Sequence, residues 1–234
     1  RKLMFIDISK AHLYAPVDPG VEAYVDLPIE CQKEGVCGRL NFWLYCMRPA
    51  SRGWESEYTR RLADIGLLAG KASPCCFHRA QGDVGCVVHG DDFATVGDDK
   101  ALDHLDEVLQ GSIMIKRLGR VGPGGARSGF YLKRRVEWRG DRFVYYANPK
   151  HSQDIVKIWR LGDAKGQETP GSKATGASGA EESAPLSESE ARLVASANGS
   201  VLYLALDRPE IQYAAKCLAA DLRQPTELTR VRAK

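Results

Sequence analysis

The sequence predicts an α+β fold: a small antiparallel sheet backed by helices, followed by a helical tail. Three observations carry that expectation. Apolar runs of strand length stand at LMFIDI (3–8) and on both sides of a polar break in GDVGCVVHGDDFATVGDD (82–99), a hairpin pattern. WESEYTRRLADIGLLA (54–69) and DKALDHLDEVLQG (99–111) place apolar residues at helical spacing. ARLVASANGSVLYLAL (191–206) and PEIQYAAKCLAADL (209–222) are helical in character and close the chain.

Taken in order, LMFIDI is a strand ending on Asp7, and EAYVDLP (22–28) alternates as a second strand. Trp54, Tyr58, Leu62 and Ile65 share a helix face, and Gly66 falls where that helix ends. The hairpin that follows sets Asp91-Asp92 at its turn. Asp98-Asp99 instead opens a helix carrying Leu102, Leu105, Val108 and Leu109 on one face. There side-chain oxygens accept from free backbone N–H groups and the dipole favours negative charge, so the second pair is a cap. FYLKRRVEWRGDRFVYYAN (130–148) reads as another hairpin turning at Gly140-Asp141, with Lys133 and Arg135 on one face and Arg134 on the other. Residues 162–190, rich in Gly, Ser and Ala, read as a flexible linker between a core (1–161) and a helical segment (191–234), in which Asp207 and Pro209 open the last helix.

At 234 residues, 44% hydrophobic and 27% charged, the chain has material for a sizeable core. No apolar run approaches a membrane span and no signal peptide opens the sequence, so a cytoplasmic or nuclear protein without a membrane partner is expected. The start at RKLMFIDIS, without an initiator Met, suggests a piece of a longer polypeptide. Seven cysteines form no CxxC and, with the five histidines, no zinc spacing; reduced, mostly structural thiols are expected. Net charge is only +3, yet residues 112–165 carry a local +9 against −6 elsewhere, which suggests a polyanion partner.

Asp91-Asp92 lies between strands, and Asp7 closes a strand of its own. Carboxylates at the ends of neighbouring strands can gather two Mg²⁺ ions, which in two-metal sites sit about 3.5–4 Å apart. Ordinary hairpin-turn chemistry is the other explanation for the pair.

The order of these blocks resembles the reverse transcriptase of copia-type LTR retrotransposons. FIDISKAHLYAPV is similar to that family's first catalytic block and EAYVDLP to the strand after it. LYCMRPASRGW resembles the Leu-Tyr-Gly-Leu-Lys-Gln-Ala-Pro-Arg-x-Trp block, SPCCF the Asp-Pro-Cys-Leu-Phe block, and VVHGDDFATVG the Tyr-Val-Asp-Asp block. IKRLG, YLKRRVEW, ETPGSK and GSVLYLALDRPEIQYAAKCLA follow later landmarks in order. The resemblance implies a right-hand polymerase palm with a C-terminal helical thumb or connection, acting as an RNA-directed DNA polymerase. It implies Asp7, Asp91 and Asp92 as catalytic ligands of two Mg²⁺ ions, with Mn²⁺ as a substitute. His12, Arg48 and Arg52 would meet the incoming nucleotide, and Lys133, Arg134 and Arg135 the nucleic-acid backbone in a primer-grip hairpin (130–146). The implied partners are an RNA or DNA template-primer, dNTPs, and other parts of a longer Pol polyprotein that supply the fingers and RNase H. The sequence departs from the pattern at His89 and Gly90 before the Asp pair, at His12 where the family has an aromatic, and at Cys46, Pro49 and Ser51. The alternative function is a catalytically inactive descendant that binds nucleic acid.

Overall fold

The structure, a computed structural model, describes residues 1–166 and 183–233. The chain divides into two units, Arg1–Tyr146 and Ala147–Lys234.

In the first unit, β1 (Lys2–Ile8) takes an interior place in its sheet because both of its faces are apolar. After β1 come a short ribbon of β2 (Tyr24–Val25) and β3 (Gly38–Arg39), the helix α1 (Ala50–Asp64), and β4 (Leu67–Ala69). Then follow β5 (Cys76–Arg79), β6 (Gly85–His89), β7 (Asp92–Gly97), α2 (Asp99–Gln110) and β8 (Ile115–Val121). Six of the strands form one sheet in the order β4-β5-β6-β7-β1-β8, every neighbouring pair antiparallel. The fold is mixed α+β, as the sequence predicts.

Alternation along β1 sends Met4, Ile6 and Ile8 into a core shared with both helices. From α1 come Ala50, Trp54, Tyr58 and Leu62, spaced by four, and from α2 Leu102, Leu105 and Leu109. The opposite face presents Leu3 and Phe5 to a second sheet, β11-β10-β9, built from β9 (Ser128–Tyr131), β10 (Arg134–Trp138) and β11 (Phe143–Tyr146). Phe5 is 2% exposed, a burial worth about 1.5–3 kcal/mol, and stacks on Tyr131 with ring centroids 5.7 Å apart. The sheets close to contact at Gly129, where a Cβ would fall 2.9 Å from Val121 and 3.2 Å from Phe5.

The cap at α2 is as expected for Asp98, whose side chain accepts from the Ala101 N–H at 2.8 Å. Its neighbour Asp99 instead bonds the Lys2 ammonium at 2.8 Å. Of the expected strand 22–28, only Tyr24–Val25 pairs, because its partner β3 is two residues long. Residues 130–148 hold two turns rather than one. Besides the turn at 139–142, Leu132 and Lys133 reverse the chain with φ of +49° and +63°, so Lys133 sits at a turn tip and not on a strand face.

The second unit contains α3 (Pro149–Trp159), α4 (Glu188–Leu204), α5 (Gln212–Asp221) and α6 (Glu227–Arg232) around Trp159, Val194 and Ala197. Asn148 caps α3, with Pro149 in the first turn. The expected core boundary at 161 therefore moves to 146, since α3 packs with α4. Residues 167–182 of the expected linker lie outside the described residues. Its end is not a linker: Leu186 N–H donates to the Pro225 carbonyl at 3.0 Å, and Ser187 with Glu190 forms a capping box for α4. Asp207 stands one residue before the cap position of the Pro209–Ile211 turn, which Arg208 occupies. No helix among the described residues is long and apolar enough to cross a membrane. All seven cysteines are free thiols, although only Cys86 is buried.

Candidate active site

β6 and β7 are joined by two residues, Gly90 and Asp91, between the paired His89 and Asp92. Gly90 has φ +64° and Asp91 does not share that positive φ, the pattern of a II′ hairpin, which favours Gly at its first central position. Neighbouring elements fix both turn carbonyls. The indole Nε1 of Trp54 on α1 donates to Gly90 O at 2.8 Å, and Ile8 N–H at the end of β1 donates to Asp91 O at 2.8 Å. The turn is held by its backbone, and the Asp91 side chain remains exposed.

Asp7 is the cross-strand partner of Asp92, both half-buried at the same sheet end as the turn. Direct neighbours across an antiparallel pair have Cβ atoms about 4.5–5.5 Å apart, and like charges there destabilise the sheet. The Asp92 carboxyl is accordingly held above its ordinary value, by burial first, then by the charges of Asp91 and Asp7, with His89 acting in the opposite direction. Tyr131 of β9 feels the same cluster. Burial and then the Asp92 charge push its phenol up to about 12, and its buried Oη has no hydrogen-bond partner among the described residues. Sequence reasoning missed Tyr131, whose only signal was its place beside the basic run.

Among the described residues, no three or more His, Cys, Asp or Glu side chains are close enough together to hold a metal ion between them. The chain brings Asp7, Asp91 and Asp92 to one sheet end as oxygen donors that repel one another. Carboxylate oxygens are the donor type that Mg²⁺ and Mn²⁺ take, with water and phosphate completing the shell.

The expected nucleotide contacts occupy the neighbouring loops. His12 lies in the turn Ala11–Tyr14 with its ring 4.6 Å from that of Tyr45, and its buried Nδ1 has no hydrogen-bond partner among the described residues. Tyr45 was also missed, although it belongs to the LYCMRPASRGW block. Arg48 and Arg52 are exposed around the start of α1. Cys46 has φ +66°, a left-handed conformation at the position where the copia-type pattern has Gly.

The structure separates the three basic residues expected to bind nucleic acid together. Lys133 is exposed at its turn tip, whereas Arg134 is only 7% exposed. Arg135 bonds Glu137 at 3.0 Å and lies 4.0 Å over the Tyr146 ring. Arg134 thus belongs to the protein interior, on the face opposite Arg135 as alternation predicts, whereas the turn at Leu132-Lys133 takes Lys133 off the strand. Compared with known families and with curated proteins, the chain matches none.

Proposed function

We propose that residues 1–146 are the palm of an RNA-directed DNA polymerase of the copia retrotransposon kind, working in the cytoplasm or nucleus. The observation that carries this reading is the cross-strand pairing of Asp7 with Asp92, beside Asp91 in a two-residue turn. Asp7, Asp91 and Asp92 would hold two Mg²⁺ ions. When bound, those ions supply charge neutralisation at the transferring phosphate and make the primer 3′-OH a better nucleophile. The chain itself supplies position. Trp54 and Ile8 fix the turn, Arg48 and Arg52 offer guanidinium groups to a dNTP, and Lys133 offers a cation to the primer backbone. In this reading the helices of the second unit correspond to a thumb or connection segment, and the partners are an RNA or DNA template-primer and dNTPs.

A second reading, an inactive relative that binds nucleic acid, is favoured by Cys46 in its left-handed conformation and by His12 in the place of a flat aromatic. Primer extension on poly(rA)·oligo(dT) with dTTP and Mg²⁺ separates the two. Extension by the wild type that disappears in Asp91→Asn supports the polymerase. A folded wild type that binds the primer-template without extending it supports the second reading.

A further inference from the structure

At the far end of the β9-β10-β11 sheet from the carboxylates lies a cleft of about 590 Å³. Val121 pairs with Leu3, four residues along β1 from Asp7, so the loop after Val121 starts about 13 Å from the carboxylates at ~3.3 Å per residue. One wall is that loop, GPGGARS (122–128), and the other is the turn after Trp138. The loop needs its glycines: a Cβ at Gly125 would fall 2.8 Å from the Arg120 carbonyl.

Three guanidinium groups converge on one carboxylate here. Glu137, 8% exposed, lies 3.0 Å from Arg135, 3.5 Å from Arg139 and 3.9 Å from Arg127. The two arginines lining the cleft, Arg127 and Arg139, therefore approach Glu137 at ion-pair range but beyond good hydrogen-bond distance. Neighbouring charges are already matched, Arg120 with Asp103 at 2.7 Å and Arg142 with Asp141 at 3.5 Å. The cluster thus keeps an excess of two positive charges facing a concave surface.

We propose that this cleft binds a phosphate group, with Arg127 and Arg139 as its ligands and Glu137 as the residue that positions them. Guanidinium forks match phosphate oxygens in pairs, and a dianion balances the excess charge. The volume falls within the range of nucleotide-sized sites. The phosphate comes either from a nucleic-acid backbone or from a small phosphorylated molecule. The site is independent of the polymerase reading, since it uses none of Asp7, Asp91 and Asp92.

The test measures fluorescence anisotropy of fluorescein-labelled dT12 on the full chain, with inorganic pyrophosphate as competitor. Arg127→Gln/Arg139→Gln is compared with Lys71→Gln/Lys100→Gln, which removes the same charge from exposed positions elsewhere. About a tenfold loss in the arginine variant and little change in the lysine variant is the expected result. Competition by pyrophosphate identifies a small phosphorylated ligand, and its failure with dT12 still bound identifies a backbone; both retain the arginine dependence. Equal affinity of the arginine variant and the wild type, or an equal loss in the lysine variant, overturns the proposal. Arg127 is 84% exposed, so Arg127→Gln alone keeps the fold and should still weaken binding several-fold.

Discussion

Trp54 donates its indole N–H to the carbonyl of Gly90 at 2.8 Å, tying the buried face of α1 to the residue before Asp91. Trp54 is 2% exposed, so Trp54→Phe removes this bond and leaves a small cavity in the core. A loss of about 2 kcal/mol in a urea melt is expected, from the bond and the cavity together. The effect on primer extension should exceed the effect on stability, because the freed turn misplaces Asp91. Equal activity in wild type and variant would show that the bond has no part in the chemistry.

Cys46 is held at φ +66° although it carries a Cβ. The left-handed conformation costs a non-glycine residue roughly 1 kcal/mol, so Cys46→Gly should stabilise the chain by about that amount, less the extra freedom glycine gives the unfolded state. Denaturant midpoints of the two proteins check this. A lower midpoint for the variant would mean that the Cys46 side chain contributes contacts that outweigh the strain.

The β9–β10 turn has positive φ at both Leu132 and Lys133, a geometry that Asn-Gly adopts far more readily. Leu132→Asn/Lys133→Gly should therefore raise stability by about 1 kcal/mol while weakening nucleic-acid binding through loss of the exposed cation. Thermal melts and a gel shift measure the two effects separately. A destabilised variant would contradict the turn geometry.

Asp92 gives a pH prediction of definite sign. Its folded carboxyl lies above the ordinary value, so between the two values the folded chain binds more protons than the unfolded one, and stability falls as pH rises through that window. Above the window the loss is complete. Asp92→Asn should thus be more stable than wild type at neutral pH, by up to about 1 kcal/mol on the scale of exposed charge pairs, and the difference should vanish below the ordinary carboxylate range. Melts at pH 7 and at low pH test it, and a variant less stable at both would contradict the electrostatic reading of the cluster.

Elements with a strong period or a local cap were legible in the sequence. The strand β1, the buried stripe Trp54, Tyr58 and Leu62, the β6–β7 hairpin and the Asp98 cap each follow from side-chain spacing or from a single backbone donor. Features set by partners distant in sequence were not. The turn at Leu132-Lys133 lacks Gly and Asn, so nothing marked it, and missing it put Lys133 on a strand face. EAYVDLP alternates over seven residues but finds only the two-residue β3 to pair with. At the candidate site the three aspartates could be named in advance. The bond from Trp54, the Tyr131 phenol and the arginines around Glu137 depend on how sheets and helices stack, which period alone does not encode.

The most direct measurement of the carboxylate cluster is a Mn²⁺ titration followed by electron paramagnetic resonance, without added nucleotide, on wild type and on Asp7→Asn/Asp92→Asn. Loss of the free Mn²⁺ signal with wild type, and its persistence with the variant, is the predicted result. Equal Mn²⁺ uptake by both proteins, or none by either while both remain folded, would contradict the assignment of Asp7, Asp91 and Asp92 as a metal-binding catalytic centre.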